Sequence, residues 1–330
     1  MLVNDKSTTI RAFQAGDGPA IAEAWTRAMP KDGITYDRFR DLILLDRNFD
    51  AAGLFIAESD GRLIGAAYGV RRLIATVGSD LESDTGWLPF FFVVPEARGV
   101  GLGKGLVSAV MDWLQCCGAQ TVVFSAYSPN YFYPGLDTDR YPAAARLLQS
   151  LGFTVTDEAF AMDRSLNDYV MPEDVRHHID ELAARGWKFG SPNGDDLVDL
   201  VRIAGRFNWD WARVLRESSV AGAPLDRIIC VRDPNGQMLG WAAVGVFDGV
   251  IDRFGPFGVL PESRGTGLGE CILHLTLERM RSLGSHGAWF LWVEDGSPAY
   301  FLYRKAGFTV TRGFSIFHAS LNVPNGSSER

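Results

Sequence analysis

Hydrophobic and polar positions fall into the same order of patterns twice along the chain. In the first half, residues 8–13 alternate with the period of a strand. Residues 16–29 recur at helical spacing, with Asp17 placed as an N-cap, and residues 36–45 read as a second helix. Residues 53–58 and 62–71 predict strands joined at Asp60-Gly61, a two-residue hairpin signal. Residues 87–94 form a dense apolar strand, followed by a glycine-rich segment and a helix over about 103–115. A buried strand is predicted over 121–126 and a helix over 142–151, with proline in its first turn. Phe153 opens a further strand.

The second half repeats this order. Strand 187–190 and helix 195–204 come first, then helix 209–218. Strands 227–232 and 238–246 are joined by Asp233-Pro234-Asn235-Gly236, and strand 250–259 leads into a second glycine-rich segment. A helix over about 269–283, strand 288–293, helix 298–306 and a final strand from Phe308 complete it. Between the halves, residues 171–185 open on Pro172-Glu173-Asp174, which suits a helix start, and read as a connecting helix. The polar tail from Asn325 reads as frayed. The pattern predicts an α/β chain of two domains, 1–168 and 187–330, with the connecting helix at 169–186. Each domain is expected to be a mixed, mostly antiparallel sheet flanked by helices.

The repeat is sharpest at the glycine segments. The first reads Pro95-Glu96-Ala97-Arg98-Gly99-Val100-Gly101-Leu102-Gly103, and the second Pro261-Glu262-Ser263-Arg264-Gly265-Thr266-Gly267-Leu268-Gly269. Both lie between a strand and a helix. Successive backbone N–H groups there can form an anion-binding nest, and the helix start adds its dipole. Glycines let an anion approach the amides, and Arg98 and Arg264 add a charged clamp. The dinucleotide fingerprint G-x-G-x-x-G fails, because position 104 is Lys104 and position 270 is Glu270. The Walker spacing fails in both copies. What both fit is R-x-x-G-x-G.

That motif, after a strand ending Val-x-Pro-Glu or the like and before a helix, twice with matched flanks, resembles the GNAT superfamily of acetyl-CoA-dependent N-acyltransferases in a tandem form. The resemblance covers nearly the whole chain. It implies that Arg98, Gly99, Val100, Gly101, Leu102, Gly103 and Lys104 in one half, and Arg264, Gly265, Thr266, Gly267, Leu268, Gly269 and Glu270 in the other, bind the CoA pyrophosphate. It implies a splayed, bulged strand whose backbone meets the pantetheine and acetyl carbonyl, at Phe92, Val93 and Val94 and at Gly258, Val259 and Leu260. The implied reaction is direct attack of an amine on the thioester. Oriented amides stabilise the developing oxyanion, a carboxylate takes the amine proton and a tyrosine protonates the thiolate.

The halves differ in ways that bear on that chemistry. The family's helix pattern A-x-x-L-Y-x-x-x-G-F is met by Ala299, Leu302, Tyr303, Gly307 and Phe308, which makes Tyr303 the implied general acid. In the first half Ala144, Leu147, Gly152 and Phe153 match, but Leu148 replaces the tyrosine; Tyr141, Tyr131 or Tyr133 could substitute only if geometry allowed. Lys104 suits a pyrophosphate, whereas Glu270 repels one unless turned away. Asp252 is the preferred base, ahead of Asp84, Asp248 and Asp137. Gly152 follows Arg98 by 54 positions and Gly307 follows Arg264 by 43, so the first half carries about eleven extra residues around 130–140. Their aromatic, turn-rich composition suits a pocket wall or lid. Trp209 and Trp211 are candidates for the acceptor side, while Trp87, Phe90 and Phe91 read as core.

Composition narrows the partners. The chain of 330 residues is 47% hydrophobic and 22% charged with a net charge of −8, an ordinary globular balance and not that of a nucleic-acid binder. No secretory signal or bilayer-length apolar run is visible, which predicts a cytoplasmic protein without membrane partners. Cys116, Cys117, Cys230 and Cys271 read as reduced thiols. His177 and His178 have no accompanying ligand cluster, so no metal site is expected and the pair reads as a solvated helix face. The expected partners are therefore acetyl-CoA and a small-molecule or peptide amine, with oligomeric state open. Alternative readings are a non-catalytic CoA-binding sensor or scaffold in one domain, or an acyltransferase using a longer acyl-CoA.

Overall fold

The computed structural model describes residues 8–75 and 81–321, so the tail from Asn325 lies outside the described residues. The chain divides into two compact units, one of residues 1–159 with 313–330 and the other of residues 160–312.

The first unit contains β1 (Thr8–Ala12), α1 (Gly18–Ala28), α2 (Tyr36–Phe39), β2 (Leu54–Ser59), β3 (Arg62–Arg71), β4 (Thr85–Val93), α3 (Leu102–Cys116), β5 (Thr121–Phe124) and α4 (Pro142–Ser150). It also takes the start of β6 (Thr154–Ser165). Neighbouring strands from β1 to β4 pair antiparallel, and β4 pairs with β5 in parallel. Asp60 and Gly61 both hold positive φ, 51° and 71°, as a tight hairpin between β2 and β3 requires. Alternation along β4 feeds two cores. Phe90 and Phe92 pack with Ile21, Trp25 and Phe39 under α1 and α2. Leu88 and the partly buried Phe91 pack with Leu106, Val110 and Leu148 under α3 and α4.

The second unit holds the rest of β6, α5 (Glu173–Ala184), β7 (Lys188–Gly190), α6 (Asp196–Gly205), α7 (Trp209–Val220), β8 (Ile228–Arg232), β9 (Met238–Val244), β10 (Phe254–Val259), α8 (Leu268–Ser282), β11 (Gly287–Phe290) and α9 (Pro298–Lys305). Strands β7 to β10 pair antiparallel in sequence order. Strand β11 meets the chain just before β10 through a parallel bridge, Arg253 to Trp289, and pairs antiparallel with residues 162–165 of β6. The last strand, β12 (Thr309–Ser320), is divided between the units: residues 313–320 belong to the first, where Phe317–Ser320 pair antiparallel with β5. The observed fold is thus mixed α/β with mostly antiparallel sheets and flanking helices.

Three local features depart from the pattern-based expectation. Asp17 does not cap α1; its carboxylate accepts from the Arg11 guanidinium at 2.8 and 3.0 Å. Two bonds from the Arg11 guanidinium and one from the Gln14 N–H at 2.8 Å take the carboxylate oxygens that a cap would need. The helix expected over 36–45 changes hand-over at Arg40 into a π-helical turn, Arg40–Leu44, closed by Leu45 N–H on the Arg40 carbonyl at 2.9 Å. The strand expected from 250 begins only at Phe254, because Arg253 N–H turns back to the Val250 carbonyl at 3.0 Å.

A buried imidazole ties residue Tyr169 to α8. The Tyr169 hydroxyl lies 2.9 Å from His274 Nδ1 and 3.1 Å from the His274 carbonyl. Burial lowers the His274 pKa below the ordinary imidazole value, so the folded unit holds the neutral ring. The unfolded chain therefore takes up the proton first as pH falls. This contribution to stability is complete above the unfolded pKa of about 6.5 and is lost progressively below it. Denaturant titrations at pH 8 and pH 5.5 should show a larger acid loss for the wild type than for His274→Gln. An equal loss in both would remove His274 from the acid response.

Candidate functional site

The central strand of each unit carries the same irregularity. Between Tyr68 and Val70, β3 advances two residues while β4 advances three, from Trp87 to Phe90. Between Ala242 and Val244, β9 advances two while β10 advances three, from Phe254 to Phe257. Each central strand therefore has one extra residue, a bulge that twists it away from its far neighbour. In the first unit the pairing of β4 with β5 stops at Leu88–Phe124, with Ser125 N–H reaching the Leu88 carbonyl at 2.9 Å. In the second, backbone pairing between the chain entering β10 and β11 is limited to the bridge at Arg253, with Trp289 N–H on the Asp252 carbonyl at 2.9 Å. Past these points the two strands splay.

Strand period decides which amides face the splay. Val94 N–H donates to Ile64 on β3, and Leu260 N–H donates to Leu239 on β9. Counting back by two, Phe92 and Gly258 also turn their backbone groups to those neighbours. Val93 and Phe91, and Val259 and Phe257, turn theirs the other way. Composition gives no hint of Phe91 or Phe257; only register and bulge do.

The glycine loops follow directly. A single 3₁₀ turn, Pro95–Ala97 or Pro261–Ser263, leads to the arginine. The next glycines are left-handed: Gly99 at 85° and Gly101 at 84°, Gly265 at 78° and Gly267 at 82°. Helices α3 and α8 then start at Leu102 and Leu268. Among the described residues, the N–H groups of Gly99, Val100, Gly101, Gly265, Thr266 and Gly267 donate to no backbone carbonyl. With the unpaired amides of the helix starts, they form a row of donors suited to an anion. The third glycine of the first loop packs closely, since a Cβ on Gly103 would lie 2.9 Å from Leu147, whereas one on Gly269 would meet Leu302 at an ordinary contact distance of 3.5 Å.

The side chains around the loops are not equivalent. Arg98 donates Nε–H to the Val93 carbonyl at 2.9 Å and Nη2–H to the Ala28 carbonyl at 2.8 Å, tying the strand end to the end of α1. Arg264 is exposed and its guanidinium makes no hydrogen bond or ion pair among the described residues. Lys104 is exposed. Glu270 is paired with Lys305 of α9 at 2.7 Å, which offsets its charge at the start of α8. Each loop glutamate also has an arginine: Arg27 lies 3.5 Å from Glu96 and Arg206 lies 3.7 Å from Glu262.

Tyr303 sits in a ring of phenylalanines, with centroids of Phe290, Phe308, Phe254 and Phe257 at 4.5, 5.6, 5.9 and 6.1 Å. Burial holds its pKa well above the usual tyrosine value. Its hydroxyl donates to no described protein group, and it is not among the polar atoms sealed without a partner. The corresponding Leu148 is fully buried core. Tyr133 and Tyr141 of the first unit both hydrogen-bond Asp32, which also pairs with Arg140 at 3.0 Å. Asp137 accepts from Arg140 N–H at 2.9 Å.

Asp252 lies in the turn before β10, where its carboxylate accepts from the Ser285 hydroxyl. Asp248 pairs with Arg253 at 2.9 Å, and Asp84 is exposed, receiving two backbone amides on its carbonyl. Trp209 and Trp211 are half-buried at the start of α7, capped by the Asn208 side chain on Asp210 N–H at 2.8 Å. Among the described residues, no group of three or more His, Cys, Asp or Glu could hold a metal, and no helix is long and apolar enough to cross a membrane.

Comparison with known proteins agrees with this geometry. Residues 19–132 match the acetyltransferase (GNAT) family. A mycothiol acetyltransferase of Arthrobacter sp. (strain FB24) is 26% identical over 88% of this chain and 95% of that protein. A mycothiol acetyltransferase of Pseudarthrobacter chlorophenolicus is 34% identical over 66% of this chain and 65% of that protein. In fold, the chain resembles a tandem GNAT protein from the clavulanic acid biosynthesis pathway, with a TM-score of 0.65 at 15% identity over 96% of this chain and 99% of that one. The family match falls on one half and the other half repeats its bulge, loop and helix, and together with the relatives and the tandem neighbour this supports an N-acetyltransferase of tandem GNAT form.

Proposed function

We propose that this chain transfers the acetyl group of acetyl-CoA to the amine of a small-molecule acceptor, and that the second unit carries the chemistry. Members of the family use acetyl-CoA. The mycothiol acetyltransferase name of the relatives favours a small-molecule acceptor over a peptide. The observation that carries the assignment to the second unit is Tyr303, a buried phenol with an unshared hydroxyl beside the splayed strand, where the first unit has Leu148.

The residues present fit CoA. Loop amides without carbonyl partners and an unpaired Arg264 suit a pyrophosphate, and Lys305 removes the objection raised by Glu270. When bound, acetyl-CoA would supply an activated acyl group as a thioester. In the second unit, Arg264 and the amides of Gly265, Thr266, Gly267, Leu268, Gly269 and Glu270 would hold its pyrophosphate. The backbone of Phe257 and Val259, with Gly258 and Leu260 holding the strand on β9, would orient the acyl group. Tyr303 holds a proton for the departing thiolate. Asp252 is the candidate base at the start of β10.

The first unit reads as a second CoA-binding module without the chemistry. Phe92, Val93 and Val94 lead into its loop, and Arg98, Gly99, Val100, Gly101, Leu102, Gly103 and Lys104 would hold the pyrophosphate. Its acid position is Leu148, and its candidate tyrosines Tyr133 and Tyr141 are committed to Asp32.

Calorimetry separates the two arginines. Arg264→Ala should weaken CoA binding at one site about tenfold or more, the worth of a charge-assisted contact. Arg98→Ala should lower the melting temperature as well, because it loosens the Val93 and Ala28 carbonyls. Unchanged CoA binding in both variants would end the cradle reading.

A further inference from the structure

Helix α5 does more than connect. His178 sits on the second glycine loop: its Nε2 lies 3.0 Å from the Thr266 carbonyl, and a Cβ on Gly267 would lie 2.9 Å from the same nitrogen. A carbonyl only accepts, so Nε2 carries the proton and donates. Nδ1 lies 3.8 Å from Glu181, one turn along α5. The helix is held against α8 by Arg176 on Glu278 at 2.6 Å. Thr266 fixes the other side of the loop by donating its hydroxyl to the Ser263 carbonyl at 2.7 Å.

This contact bears on an amide of the loop. Across a trans peptide the C=O and the following N–H point in opposite directions. With the Thr266 carbonyl drawn to α5, the Gly267 N–H is turned to the face away from α5. A hydrogen bond on the carbonyl also polarises its peptide and strengthens that N–H as a donor. The first loop has no counterpart. Gly99 and Gly101 have nothing within 4 Å of an added Cβ, Val100 is 80% exposed, and no described side chain donates to the Val100 carbonyl.

We propose that His178 is a positioning residue for the second cradle, locking the Thr266–Gly267 peptide so that its N–H faces a bound pyrophosphate. The proposal rests on the cradle reading above and adds a group outside the family motif. Its ligand class is a pyrophosphate-bearing nucleotide thiol. Phosphate-free fragments of the same ligand do not use it.

The test isolates the second cradle with Val100→Glu, which places a carboxylate on the exposed first loop. In that background, calorimetry with CoA and with pantetheine compares His178, His178→Phe and His178→Gln. His178→Phe keeps a ring and loses the donor; His178→Gln restores an N–H donor. The expected result is CoA binding weakened on the order of tenfold in His178→Phe, pantetheine binding unchanged, and CoA binding restored in His178→Gln. Unchanged CoA binding in His178→Phe, equal loss for CoA and pantetheine, or no recovery in His178→Gln would each overturn the role of His178 alone. Failure of the Val100→Glu protein with intact His178 to bind CoA while remaining folded would overturn the second cradle, and this proposal with it.

Discussion

Tyr303→Phe lowers kcat by a hundredfold or more, about the minimum worth of a positioned general acid, while KM for acetyl-CoA changes little. The ring is what the protein core needs from this position. Phe290, Phe308, Phe254 and Phe257 surround it, and none of them hydrogen-bonds the hydroxyl. Phenylalanine keeps those contacts, so stability should hold within the range of a mild core change. Only the transferable proton is lost. Loss in kcat and in kcat/KM by the same factor would mark an interaction made in the transition state alone. A steady-state assay with a panel of small amines, following thiol release, makes the measurement. Full turnover by Tyr303→Phe would dismiss the proton-donor role, whatever the fate of the cradle.

Much of the fold was legible because backbone demands leave marks on sequence. A loop whose residues sit at positive φ needs glycine, so two loops of matched spacing stand out without any structure. The hairpin at Asp60-Gly61 is written the same way. Tyr303 was singled out only through the resemblance, whose helix pattern Ala299, Leu302, Tyr303, Gly307 and Phe308 meet. Features made by partners distant in sequence were not legible. That Arg98 spends its guanidinium on the Val93 and Ala28 carbonyls depends on where α1 ends, 70 positions away. That Glu270 meets Lys305 depends on how α9 lies on α8. His177 and His178 look alike in sequence, yet one pairs with Glu181 on its own helix and the other reaches the Thr266 carbonyl. The partition of β12, with residues 313–320 joining the first unit, has no local signal, since a strand's sequence says which face is apolar but not which edge it joins. Asp252 was read as part of the strand from composition; the turn from Val250 to Arg253 sets it before the strand and onto Ser285.

The stability of the second unit should depend most on Trp241, and through it on the bulged strand. Trp241 is fully buried on β9, with Phe207 at 5.2 Å and Trp211 at 6.3 Å between centroids. Its ring fills the space beside Gly258, where an added Cβ would lie 2.7 Å from the indole. Trp241→Ala should cost about 3–5 kcal/mol, the lost burial plus the cavity, a large share of an ordinary folding free energy of about 5–15 kcal/mol. Trp241→Phe should cost less, because the indole Nε1–H has no hydrogen-bond partner among the described residues and its removal relieves an unpaired buried donor. Gly258→Ala should cost about 1–3 kcal/mol by overpacking, since neither the strand nor the indole can easily yield. The two positions are then coupled. Phenylalanine withdraws the outer indole ring, so Gly258→Ala should cost markedly less in the Trp241→Phe background, by about 0.5 kcal/mol or more. Denaturant unfolding of the two single variants and the double variant closes that cycle. Strict additivity would mean that Gly258 answers to its backbone alone, and that the indole does not set the path of the strand whose amides at Phe257 and Val259 face the splay.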